Sequence, residues 1–92
     1  MDPFVIFGKY SMEGIQDISA ARTMEANALI EENGGSLVGG YALLGEYDVM
    51  LITKFPGIEQ AMKASVELSK MLGIAFTTCL AVIIEAFDKL VG

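Results

Sequence analysis

Val49-Met50-Leu51-Ile52 and Leu80-Ala81-Val82-Ile83 carry no polar residue at either parity. A strand with one face in water alternates apolar and polar side chains, because successive residues point to opposite sides. Runs apolar at every position therefore predict strands covered on both faces. The chain has 92 residues, enough for one domain, and 53% of them are hydrophobic. A domain of this size hides only about 60–65% of its unfolded surface. The apolar excess must pack against something outside the protomer, and a second copy of the chain is the simplest answer.

The rest of the pattern supplies the elements. Phe4-Val5-Ile6-Phe7 reads as a first strand, with Pro3 at its start, where a missing N–H is tolerated. Ser11 is a candidate N-cap, and the helix after it is expected to run unbroken to about Asn33, where Gly34-Gly35 stops it. Ser36 to Leu43 follows as a strand, with Gly39-Gly40 admitting a bulge. Gly45-Glu46 turns the chain into a third strand from Asp48 to Thr53. Past the Pro56-Gly57 turn, Ile58, Ala61, Met62, Ser65, Leu68, Ser69 and Leu72 recur at helical spacing until Gly73. Thr77 to Ile84 reads as the fourth strand and Glu85 to Val91 as a short terminal helix. Strand–helix–strand occurs twice, the ferredoxin-like α+β pattern: a four-stranded antiparallel sheet with two helices on one face. The two-sided strands then predict a homo-oligomer formed through the open sheet face.

Composition excludes several function classes. The chain has no His and one cysteine, Cys79, so neither an intrachain disulfide nor the common zinc sites can be built. Cys79 is expected as a small buried hydrophobe within its strand. No cofactor is expected, and the methionines read as adaptable core or interface filler. The net charge is −6 with six scattered Lys and Arg, which argues against nucleic acid and against anionic lipid as partners. The longest uncharged run, Met71 to Ile84, falls short of the ~20 residues a bilayer span requires. The N-terminus has no basic region before an apolar stretch. The expected location is cytoplasmic.

Lys9-Tyr10-Ser11-Met12-Glu13-Gly14-Ile15, Arg22, Gly34-Gly35, Leu44-Gly45-Glu46-Tyr47-Asp48 and Glu85-Ala86-Phe87 span nearly the whole chain. In that order these segments resemble the Gly-Tyr-Asp (GYD) domain family. The resemblance implies a ferredoxin-like fold of the dimeric α/β-barrel kind and brings no biochemical role with it. Relatives often carry Arg-Thr entering the last strand, whereas this chain reads Phe76-Thr77. A polar site that used that Arg would be altered or lost here.

Five residues stand out as ligand-binding candidates: Asp48, Tyr47, Tyr41, Tyr10 and Arg22. Asp48 opens the most apolar strand. It serves either as a capping carboxylate for backbone N–H groups or as a charge at the mouth of a cavity. Tyr47 should point away from it if the strand is regular. Ile15, Ile18, Arg22, Glu25 and Leu29 fall on one helical stripe, so Arg22 and Glu25 are expected to neutralise each other as an i,i+3 pair. Tyr10 and Tyr41 are amphipathic rings suited to an interface rim or a pocket wall. The functional expectation is an oligomeric domain binding a small apolar ligand between sheets. The alternatives are a cofactor-free oxygenase or isomerase, by fold analogy alone, and a regulatory subunit.

Overall fold

The computed structural model describes residues 1–92. The elements run β1 (Asp2–Lys9), α1 (Met12–Gln16), α2 (Ala20–Glu32), β2 (Ser36–Ala42), β3 (Val49–Phe55), α3 (Ile58–Leu72), β4 (Ala75–Leu80) and α4 (Ile84–Val91). The sheet is antiparallel, ordered β2-β3-β1-β4. This is the α+β, ferredoxin-like order that two strand–helix–strand units produce.

β1 alternates as a strand between layers should. Phe4 and Ile6 are buried under the helices, and Val5 and Phe7 face the other way. The core joins Phe4, Ile6 and Phe55 of the sheet to Ala26, Leu29 and Ile30 of α2 and Ala61, Ala64 and Leu68 of α3. Phe4 and Phe55 meet edge to face with ring centroids 5.9 Å apart, the arrangement favoured by the ring quadrupoles. The one buried polar side chain of the sheet, Thr53, donates to the Phe4 carbonyl at 2.9 Å. It therefore leaves no unpaired group in the core.

The helix ends follow the sequence. Gly34 (φ +79°) and Gly73 (φ +66°) take the left-handed turns that close α2 and α3, a conformation a side chain with a Cβ resists. In β2 the register slips between Leu37 and Gly39, leaving Val38 as a bulge.

Three expectations are corrected. The single helix from Ser11 to Asn33 is two. Ser11 caps α1, its Oγ accepting from the Gly14 N–H at 2.9 Å, and Ser19 starts α2 afresh by accepting from the Arg22 N–H at 3.2 Å. The stripe from Ile15 to Leu29 therefore does not exist as one face. Ile15 and Ile18 are exposed, and α2 buries Ala26, Leu29 and Ile30 instead. Secondly, β4 begins two residues early and stops at Leu80. The Ala81 N–H still reaches the Pro3 carbonyl at 3.0 Å, but Pro3 has no N–H to return the second bond of that pair, and the ladder ends there. Val82 and Ile83 thus leave the sheet, and the two-sided apolarity assigned to this strand belongs to the connection into α4. Thirdly, Cys79 is exposed rather than buried. It shares the open face with Val5, its partner across the ladder.

That open face is apolar in its centre. One row of cross-strand neighbours runs Tyr41, Met50, Phe7, Thr77, and the next runs Gly39, Ile52, Val5, Cys79. No helix of the protomer covers it.

Candidate functional site

The helix-covered side of the sheet holds a pocket of about 90 Å³ under the α1–α2 corner. Its floor is Leu37, Val49, Leu51 and Phe76, and its rim is Tyr10, Asp17, Ser19, Arg22 and Thr23. The break between α1 and α2 opens this mouth, because a continuous helix would have carried Asp17, Ile18 and Ser19 past the sheet. α1 itself is held close: a Cβ on the buried Gly14 would come within 2.7 Å of Ile74.

Arg22 is half-buried at the rim, where its Nη2 donates to the Leu72 carbonyl at 2.7 Å. Leu72 is the last residue of α3, and the carbonyls of a final turn lack intrahelical partners. A guanidinium there satisfies an orphan acceptor and complements the negative end of the helix. The expected pairing with Glu25 is thus corrected. Glu25 points to solvent, and the only ion pair in the chain is Lys63–Glu67 at 3.8 Å on the outer surface of α3. The remaining guanidinium donors of Arg22 have no protein partner and stand at the pocket mouth beside Tyr10.

Asp48 works as an acceptor for backbone N–H, across 38 residues rather than within its own turn. Its Oδ2 accepts from the Tyr10 N–H at 2.8 Å. Its own N–H donates to the Gly8 carbonyl at 2.9 Å and its carbonyl accepts from Leu43 at 2.8 Å. Asp48 therefore ties the exit of β1 to the entry of β3 and fixes where Tyr10 begins the pocket wall. Tyr47 stacks on Phe7 with ring centroids 5.0 Å apart, which puts its ring with the open-face residues. Tyr41 lies opposite Met50 on that same face.

The five candidates thus separate into two groups. Tyr10 and Arg22 line the pocket, with Asp48 positioning Tyr10 through its backbone. Tyr41 and Tyr47 flank the open sheet face instead. Sequence reasoning missed Asp17, Ser19, Thr23 and Phe76 as pocket residues. Ser19 carried a signal as a second capping residue seven positions before Ala26, but the apolar spacing of Ile15 and Ile18 read straight through it. Phe76 faces the pocket opposite Gly8, so the departure from Arg-Thr at these positions makes that part of the floor apolar.

No three Cys, Asp or Glu side chains converge as a metal site, and no helix is long and apolar enough to cross a membrane. No curated protein and no solved structure matches the chain. A family model described as the GYD domain matches residues 4–91, which covers the pocket and all of the sheet but the first two residues of β1, and the chain belongs to the GYD domain family.

Proposed function

We propose that this domain binds a small molecule in the pocket under the α1–α2 corner, and that it self-associates through the open sheet face. The carrying observation is the pocket's composition: an apolar floor with unpaired Arg22 donors at its mouth. Such a lining suits a short apolar body bearing one hydrogen-bond acceptor. Asp17 on the same rim disfavours a ligand with several negative charges. A volume of about 90 Å³ limits the ligand to a handful of heavy atoms, since a cavity of about 150 Å³ accommodates benzene. A ligand held between two sheets would occupy a different place, one that only the assembled protein creates.

Self-association rests on Val5, Phe7, Met50 and Ile52, four apolar side chains at the centre of an uncovered sheet. Each is already half-buried, so completing its burial contributes about half of the roughly 1.5–3 kcal/mol of a full transfer.

Thermal unfolding with isobutyrate and with isobutanol tests the pocket. Ligand bound to the folded state raises the Tm in proportion to RT ln(1 + [L]/Kd). Isobutyrate should raise it more than isobutanol, and Ala26→Leu, which fills the pocket, should remove the shift. A shift that survives in the filled variant places the ligand elsewhere. Light scattering tests the assembly, and a mass of 9.9 kDa at every concentration rejects it.

A further inference from the structure

Asp17 and Arg22 are the only charged residues lining the pocket under the α1–α2 corner, and their signs are opposite. They do not pair with each other, since the one ion pair of the chain joins Lys63 to Glu67. The reason is local. Asp17 closes α1, before the helix break, and is exposed. Arg22 lies in the first turn of α2, after the break. Its guanidinium is held by the Leu72 carbonyl at 2.7 Å, a bond that keeps it from swinging onto Asp17. Both charges are therefore left open to a ligand at one mouth.

Such a mouth sorts ligands by charge. A simple carboxylate satisfies Arg22 but brings a like charge up to Asp17. A simple amine satisfies Asp17 but faces Arg22. A ligand with one group of each sign meets both residues at once, and its net charge of zero equals that of the rim, where Asp17 and Arg22 cancel. The positive end of α2 adds to Arg22, so the acidic group belongs on that side and the basic group on the side of Asp17. The floor adds a third requirement. Leu37, Val49, Leu51 and Phe76 accept only an apolar group, and a volume of about 90 Å³ keeps it short. An α-amino acid carries a carboxylate, an ammonium and a side chain on a single carbon, and so reaches all three surfaces with few atoms.

We propose that the pocket takes a small aliphatic α-amino acid of about the size of alanine. Its carboxylate meets the free donors of Arg22, its ammonium faces Asp17, and its side chain rests on the apolar floor. The inference rests on the small-molecule reading of this pocket and narrows it from a body with one acceptor to a zwitterion.

Alanine and isobutyrate form a matched pair for the test. They have the same number of heavy atoms in the same arrangement, with an ammonium in one where the other has a methyl group. Titration calorimetry on the full chain compares isobutyrate with both enantiomers of alanine. The better-bound enantiomer should bind about threefold to tenfold more tightly than isobutyrate, the range of one solvent-facing charge contact. Asp17→Asn, a conservative change at an exposed residue, should abolish this preference by weakening alanine. Isobutyrate should bind the variant no more weakly than before, because a like charge has gone. The inference is overturned if isobutyrate binds the unaltered chain as tightly as either enantiomer, or if alanine keeps its advantage in Asp17→Asn. Both results leave the pocket reading standing, since isobutyrate is still bound. A chain that binds neither compound removes the pocket reading and this inference with it.

Discussion

The two faces of the sheet are made of similar residues and meet opposite fates. On the covered face, Phe4, Ile6 and Phe55 are at most 2% exposed beneath two helices whose small residues, Ala26, Ala61 and Ala64, let them approach closely. On the other face Val5, Phe7, Met50 and Ile52 are no less apolar, yet they are only half-buried, shielded by one another and by Tyr47. Composition alone does not separate these faces. The difference lies in whether the same chain supplies a covering layer. An apolar face that the protomer leaves bare is a statement about what the protomer meets, whereas an apolar face that it covers is a statement about its own stability.

Substitutions can break or sharpen this contrast. The largest effect is expected from Phe55→Ala, which empties a fully buried ring site and should cost about 3–5 kcal/mol in chemical denaturation. A cost below that of an open-face substitution would mean that the covered side is not the core. Arg22→Met keeps the packed stem but removes the bond to Leu72, and should cost about 1.5–3 kcal/mol, the range for a charged donor. Hydrogen exchange should speed up at the last turn of α3, and uniform exchange across the helix would contradict the capping role. Met50→Lys should cost about 1 kcal/mol or less in the dilute protomer, within the range of surface changes, while lowering the mass seen by light scattering. Loss of stability with no change in mass would remove the case for pairing through this face. The smallest effect is expected from Asp48→Asn. The amide oxygen can still accept from Tyr10, so the cost should be about 1 kcal/mol or less, with isobutyrate binding retained. Loss of binding in a variant with an unchanged melt would show that the carboxylate charge serves the ligand directly.

Much of this architecture was legible in the chain, because it rests on local rules. Gly34 and Gly73 end helices wherever they are read, Gly39-Gly40 foretold the irregularity in β2, and the order of elements dictated the ferredoxin-like sheet. What was hidden depends on distant partners. β4 stops at Leu80 because its next partner on β1, Pro3, cannot donate, which the β-branched run from Val82 to Ile84 cannot reveal. The split between α1 and α2 was masked by Ile15 and Ile18, which keep helical spacing although each is more than half exposed. The bond from Arg22 to Leu72 spans 50 residues, and no i,i+3 or i,i+4 rule reaches that far. The pocket inherits both difficulties. Tyr10 and Arg22 were visible as polar residues in apolar surroundings, while Asp17, Ser19 and Thr23 came together only because the helix breaks.

The extra residue at Val38 sets the phase of everything after it in β2. Leu37 lies opposite Thr53 on the covered side, and Tyr41, an even number of positions later, lies opposite Met50 on the other. Were Val38 paired as a regular strand residue, the two would share a side, since side chains alternate with a period of two. Val38 thus acts like a single-letter frameshift in the sheet. Drawing Val38 into the ladder would carry the Tyr41 ring across to the helix side, opposite Val49 of the pocket floor, and would strip the open face of its outermost aromatic ring, whereas deleting Val38 would leave Tyr41 opposite Met50. One residue with no ladder partner of its own assigns that ring to the open face rather than to the interior.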